Sequence, residues 1–418
     1  MSIIIPYNTV ICRYNEIALK GKNRWKFEQF LTGRISKLLA NSGLIVSKTR
    51  GRILIHSLDY SIFQNENIQL IKNSLGYVFG LDTYSFAIRT ETSIDSIINV
   101  ALPSIELISQ QNKSHNKSEI TFRVRVKRVD KTFFDSKKIL ENELAYTVLK
   151  QHPNFKVNLS DADISFHAEI HKEYSYIYFT IENGQKGLPL GSNPPVLTLL
   201  SGGFDSPVAS YMMMKRGVYV DFISFHSAPF TPPETTEKIK KIARQLNKFQ
   251  GKRQLFLCNF LEAQKEICAN VYETFRTIHY RRTMFRLAEK IALLNGNKAL
   301  VTGESVGQVA SQTIVNLSNI ESAIEMLVLR PLIAIDKHDT MEIARKIGTH
   351  DISAEQVPDS CTVFSPSNPA TSASRGMILA GESRMNVNEL VELAYANTVL
   401  VDLDTSKETP LSEVFKTQ

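Results

Sequence analysis

Cysteine is scarce in this chain: the 418 residues hold four, Cys12, Cys258, Cys268 and Cys361, and no two of them form a CxxC pair. That spacing excludes a disulfide scaffold and a closed zinc site, and it argues against an iron–sulfur centre. Long apolar runs are missing too. No stretch approaches the roughly 20 residues that a membrane helix needs, and the N-terminal MSIIIPYNTVICRY has neither a basic leader nor a clear small-residue cleavage site. A cytoplasmic protein without a membrane partner is expected.

What is present describes a globular chain. At 43% hydrophobic and 22% charged residues it has core enough for two to three domains. Its net charge of +7 is unevenly spread, because residues 113–138 carry nine Lys/Arg against three Asp/Glu. A polyanionic partner fits such a run, although a solvated face would give the same composition.

The most informative stretch is VLTLLSGGFDSPVASYMMMKRG, Val196 to Gly217. Its apolar start suits a buried strand, Ser201 to Ser206 form a small-residue turn, Pro207 stands near a helix start, and Gly217 caps that helix. A strand, a Gly-rich loop and a helix N-terminus make an anion cradle, because free backbone N–H groups and the positive end of the helix dipole converge there. Gly202 and Gly203 admit close approach of phosphate oxygens. The loop has no lysine and so is not the GxxxxGK[ST] type.

Around this stretch the periodicity changes. Before it, a strand from Thr9, a helix over Trp25 to Ala40, strands near Leu44 to Val46 and Arg52 to Ile55, a helix near Glu66 to Leu75 and a strand near Asp82 to Ile88 suggest a ferredoxin-like unit. Arg13, Lys20, Lys22, Asn23 and Arg24 cluster at its first strand–helix connection. A helix over Thr92 to Ser109 and a polar loop, QQNKSHNKS, precede ITFRVRVKRV, where apolar residues alternate with Arg123, Arg125, Lys127 and Arg128. That is the period of a strand with one buried and one basic face, a strip that can lie along a nucleic-acid backbone. ENGQKGLPLGSNPP then reads as a connector. Beyond it, strands alternate with helices, which implies a mostly parallel sheet whose ligand sits past the C-terminal strand ends. Polar signals fall at three such ends: Ser201 to Ser206, Ser224 to Ser227, and Thr302 to Ser305.

The blocks RYNEIALKGKNR, GLPLGS, LLSGGFDSPVASYMMMKRG, FHSAPFTPPE, YRRTMFRLAE, LVTGESVGQVASQT, LRPLIAIDKHD and DSCTVFSPSNP together resemble the tRNA uridine 4-sulfurtransferase (4-thiouridine synthetase) family. The resemblance implies an α/β and α+β multidomain protein: a ferredoxin-like domain over 1–67, a THUMP RNA-binding domain over 68–183, and a doubly wound parallel-sheet pyrophosphatase-loop domain of the adenine nucleotide alpha hydrolase type over 184–418. It implies that Leu199, Leu200, Ser201, Gly202, Gly203, Asp205, Ser206, Ser224, Phe225, Arg281, Gly303 and Gln312 hold ATP, with Mg placed by Asp205. It makes Cys361 the sulfur-carrying nucleophile. Lys22, Arg24, Arg123, Arg125, Lys127 and Arg128 become the candidates for tRNA contact, a cysteine desulfurase the sulfur donor, and a homodimer the assembly. Asn15 and Phe204 stand where the family commonly has glycine and an aliphatic residue. The rhodanese-like domain of long family members has no counterpart in the 418 residues, so a short form without a thiazole-synthesis role is expected. Another pyrophosphatase-loop tRNA-modifying activity, or a tRNA-binding protein without catalysis, are the competing readings.

Overall fold

The computed structural model describes residues 5–49, 51–113, 119–132, 136–358 and 363–415. They form two compact units that divide between Pro189 and Leu190, inside the Gly/Pro-rich stretch.

The first unit contains, in order, β1 (Thr9–Arg13), α1 (Arg24–Leu38), β2 (Ile45–Thr49), β3 (Arg52–His56), α2 (Asn65–Leu75), β4 (Thr83–Glu91), α3 (Ile94–Lys113), β5 (Ile120–Arg128), α4 (Lys137–Gln151), β6 (Phe155–Val157), β7 (Ile164–Ile170), β8 (Tyr174–Tyr178) and β9 (Glu182–Asn183). Among the described residues these strands form one sheet in the order β2-β3-β1-β4-β8-β7-β5-β6, with β9 also beside β4. The long β4 makes this continuity possible. Its first residues pair with β1, Thr83 opposite Arg13, and its last pair with β8, Ile88 opposite Ile177.

Two cores lie under this sheet. One gathers Val10, Ile17, Leu31, Ile35, Ile53, Ile71 and Leu75; the other gathers Ile97, Ile105, Phe122, Val124, Leu140, Leu144 and Phe166. Helix α2 runs across residues 67 and 68 and packs Ile71 and Leu75 into the first core. Alternation along β5 is as the residue pattern requires, with Ile120, Phe122, Val124 and Val126 buried and the cations on the other face. α3 runs past Ser109 to Lys113, so the start of the polar stretch expected as a loop is helical.

The second unit takes up β10 (Leu188–Leu199), α5 (Asp205–Lys215), β11 (Arg216–His226), α6 (Pro233–Gln250), β12 (Leu255–Asn259), α7 (Leu261–Asn270), α8 (Arg276–Leu294), β13 (Leu300–Val301), α9 (Ile314–Glu321), β14 (Val328–Leu329), α10 (Lys337–Lys346), α11 (His350–Ala354), α12 (Arg375–Glu382), α13 (Val387–Ala396), β15 (Thr398–Val401), β16 (Glu408–Pro410) and α14 (Leu411–Val414). Strand order is β14-β13-β10-β11-β12-β15-β16. β10, β13 and β14 run parallel to one another, as do β11 and β12. The doubly wound expectation describes this part, whereas β15 and β16 add an antiparallel edge. A short connection forces the return between them, since only antiparallel strands can be joined without a long crossover. Asp402 shapes that turn by accepting from the backbone N–H groups of Asp404 and Thr405. Helix α8 starts at Arg276 and so carries Arg281 in its second turn.

Candidate active site

The strand–loop–helix unit forms as its residues dictate. β10 ends at Leu199, α5 starts at Asp205, and Gly217, at φ +81°, follows the helix in the left-handed region. Ser206 closes the loop between them: its Oγ accepts from the Ser201 backbone N–H at 2.8 Å and lies 3.1 Å from the Ser201 Oγ. The loop therefore keeps a tight shape before any ligand arrives. Gly303 approaches it from β13 so closely that a Cβ would lie 2.6 Å from the backbone of Asp205 and Ser206. No side chain fits there without moving the cradle.

A cavity of about 150 Å³ opens at the C-terminal ends of β10, β11 and β13. Ten of the twelve residues expected to hold ATP line it: Leu199, Leu200, Ser201, Asp205, Ser206, Ser224, Phe225, Arg281, Gly303 and Gln312. Gly202 and Gly203 lie in the same loop outside that lining. Phe225 lines the cavity, at 73° to Phe260 with ring centroids 5.5 Å apart, and so brings an aromatic ring to a flat ligand.

Met284, Phe285, Thr302 and Glu304 also line the cavity and were not among the expected residues. Glu304 is fully buried, and its oxygens are saturated: Oε1 accepts from Arg281 at 2.5 Å, while Oε2 accepts from Arg330 Nε at 2.7 Å and Thr302 Oγ1 at 2.8 Å. Burial alone would raise its pKa, but Arg281 and Arg330 hold it below the usual carboxylate value. Arg330 continues to Glu321 at 2.7 Å. The arrangement fixes the Arg281 guanidinium at the cavity wall by one nitrogen, where it can meet a phosphate oxygen.

Lys337 was likewise missed. Its Nζ lies 2.8 and 3.0 Å from the Asp205 carboxylate oxygens, and Gln308 Nε2 donates to the same carboxylate at 2.9 Å. A residue 132 positions away in sequence leaves no local signal beyond the family block that contains it. Among the described residues no group of three or more His, Cys, Asp or Glu is placed to hold a metal ion.

Cys361 lies outside the described residues. Cys12 and Cys258 are buried, and burial pushes both thiols up to about 12, so at neutral pH neither supplies a thiolate. Cys268 is half-buried with its Sγ 2.9 Å from the Tyr280 hydroxyl.

In the first unit the expected RNA-contacting residues are partly engaged at home. Arg123 donates to Ser165 Oγ at 2.8 Å and to the Ser160 carbonyl at 2.9 Å, and Arg125 to the Leu159 carbonyl at 2.7 Å. Burial lowers the pKa of Lys127 although Glu169 opposes this. Arg24 is held by Glu28 at 2.7 Å and by the Tyr14 hydroxyl at 2.5 Å, while Lys22 is exposed. Arg13 does not join Lys22 and Arg24; it reaches Ser85 at 2.9 Å and lies over the Tyr178 ring.

Three family profiles match the chain: a ThiI ferredoxin-like domain over 9–85, a THUMP domain over 91–180, and "Thiamine biosynthesis protein (ThiI)" over 191–387. A protein of Alkaliphilus oremlandii named probable tRNA sulfurtransferase is 39% identical over 93% of this chain and 96% of its own length. One of the same name from Brevibacillus brevis is 36% identical over 98% of this chain and its full length. A solved 4-thiouridine synthetase–RNA complex with bound ATP superposes with a TM-score of 0.82 at 34% identity, covering 94% of this chain and 99% of that one. With that identity sustained along the full length of its relatives, the chain belongs to the tRNA sulfurtransferase family, a family of sulfur-transferring enzymes.

Proposed function

We propose that this protein is the ATP-dependent enzyme that forms 4-thiouridine at position 8 of tRNA. The observation that carries the reading is the cavity at the parallel strand ends, which gathers the Ser201–Ser206 loop, Phe225, Arg281 and Gly303 in a chain of this family. In the first half-reaction the C4 oxygen of the uridine attacks the α-phosphorus of ATP. An O–P bond forms, pyrophosphate leaves, and a poor leaving group becomes AMP. The loop N–H groups and Arg281 stabilise the charge growing on the departing phosphates. Magnesium carried with ATP would neutralise part of that charge, and Asp205, whose carboxylate already pairs with the Lys337 ammonium, is the residue that would hold it.

In the second half-reaction a persulfide on Cys361, loaded by a cysteine desulfurase, attacks C4 through its terminal sulfur. The C–S bond forms and AMP leaves; one thiol then attacks the Cys361 sulfur, expelling the thiocarbonyl product and leaving a mixed disulfide on Cys361, and a second thiol attacks that disulfide to free the cysteine. The cationic strand β5, together with Lys22 and Arg24 after β1, would carry the tRNA on the first unit, in a homodimer working in the cytoplasm. None of the helices among the described residues is long and apolar enough to cross a membrane.

The test is mass spectrometry of nucleosides from unmodified tRNA incubated with the protein, Mg-ATP, cysteine and a desulfurase. 4-Thiouridine is expected, and Cys361→Ser should abolish it while tRNA-dependent AMP release continues. Thiolation that survives in the variant removes Cys361 from its role; absence of AMP release in the wild type removes the adenylation.

A further inference from the structure

The phosphate-binding loop is clasped from behind by α6 and α11. Ser353, in α11, donates its hydroxyl to the Gly203 carbonyl at 3.1 Å. Lys238, in α6, is buried; its stem passes beneath Gly202, where a Cβ would stand 3.3 Å from the Lys238 Cδ. The Lys238 ammonium donates to the Ser353 carbonyl at 2.9 Å and to the Glu355 carbonyl at 2.8 Å. Phe204, the aromatic residue at a position commonly aliphatic, sets its ring 5.3 Å from that of His350, at the start of α11. One turn before Lys238, Thr235 donates its hydroxyl to the Pro358 carbonyl at 2.9 Å. These bonds form a continuous path from the loop to Pro358, and Pro358 stands three residues before Cys361 in the chain.

We infer that Thr235, Lys238 and Ser353 are positioning residues that couple the two half-reactions, holding the chain leading to Cys361 in register with the phosphate loop. The inference rests on the functional reading above. Its physical basis is that part-buried hydrogen bonds fix both ends of the path and a buried one, from Lys238 to Ser353, fixes its middle, so that loss of any of them leaves polar atoms unpaired. A shift of Gly202 and Gly203 on arrival or departure of phosphates therefore moves residues 353–358 with it instead of being absorbed in slack chain. Lys238 lies against the loop at Gly202 while it bonds the carbonyls of Ser353 and Glu355. Thr235 touches only the far end, so it separates the coupling from the ATP site.

The experiment measures tRNA-dependent AMP release and 4-thiouridine formation in the same reaction. Thr235→Val keeps the shape and removes the donor. Its AMP release should stay within about twofold of wild type, while the 4-thiouridine formed per AMP falls about fivefold, the factor for one lost neutral hydrogen bond. Thr235→Ser, which restores a donor, should recover the ratio. Ser353→Ala cuts the path at the loop end and should lower the same ratio. Because the ratio reads only folded molecules, partial misfolding cannot mimic the effect; an unchanged ratio in both Thr235→Val and Ser353→Ala overturns the inference. A wild-type protein that forms no 4-thiouridine would overturn the functional reading itself, a result visible before any variant is made.

Discussion

Glu169 in the first unit and Glu304 in the second are both buried carboxylates set among cations, and the two clusters are built to different ends. In the second unit Glu304 is saturated by Arg281, Arg330 and Thr302, all within 2.8 Å. In the first unit Glu169 is equally buried, but its partners stand further off: Arg52 at 3.1 Å, His171 at 3.4 Å and Arg13 at 3.9 Å, with Lys127 also in its field. The saturated cluster fixes a guanidinium at the wall of a cavity, which is what catalysis on a phosphate needs. The loose one leaves more positive than negative charge across an open sheet face, which suits a polyanion whose contacts vary from one nucleotide to the next.

Breaking the tight cluster should have the largest effect. Glu304→Ala strands two half-buried guanidinium groups without their shared, buried counter-charge, and loss of one partner from a buried ion network costs about 3–5 kcal/mol. Denaturant unfolding of the variant should show that loss, and ATP binding should weaken with it. A loss below about 1 kcal/mol would mean that solvent reaches the cluster and that it does not set the position of Arg281.

The loose cluster should reveal itself through pH. Burial alone would raise the Glu169 pKa, but His171, Arg52, Lys127 and Arg13 hold it at about 2 against an ordinary 4.5. A depressed carboxylate contributes stability that is fully present above the unfolded value and is lost as pH falls through the folded one. Between pH 4.5 and 2 the protein should therefore lose up to about 3 kcal/mol through this group. Glu169→Gln should be less stable at pH 7 and show a shallower acid dependence across that window. An identical acid slope in the variant would place the proton uptake on other carboxylates.

How much of this was legible depends on how far apart the partners lie in sequence. The strand, loop and helix around Ser201 to Ser206 could be read directly, because glycine, proline and an apolar run act within a few residues. The alternation along Ile120 to Arg128 was equally local, and β5 keeps it. The convergence of Ser224, Thr302 and the loop followed from topology, since parallel strand ends share one edge. What could not be read was the pairing of charges. Arg52 meets Glu169 across 117 positions and Lys337 meets Asp205 across 132, and no local pattern marks either end. For the same reason the strip of cations in β5 looked freer than it is: the carbonyls of Leu159 and Ser160 that occupy Arg123 and Arg125 come from a loop more than 30 positions on. The antiparallel β15–β16 edge escaped too, because its strands are too short to show a period.

The smallest effect, and the one that sharpens the comparison most, belongs to Arg125. It is exposed on the sheet face and spends one nitrogen on the Leu159 carbonyl at 2.7 Å, leaving its other donors for a phosphate. Arg125→Ala should weaken tRNA binding about three- to fivefold, similarly for different tRNA sequences, and reduce the slope of log affinity against log salt by roughly one. AMP release at saturating tRNA should be unchanged, since the residue lies in the first unit and the cavity proposed for ATP in the second. Fluorescence anisotropy over a salt series reads both quantities. A tenfold loss with an unaltered salt slope would show that Arg125 acts by holding the 159–160 loop, and the first unit would then resemble the second in using cations for geometry rather than for field.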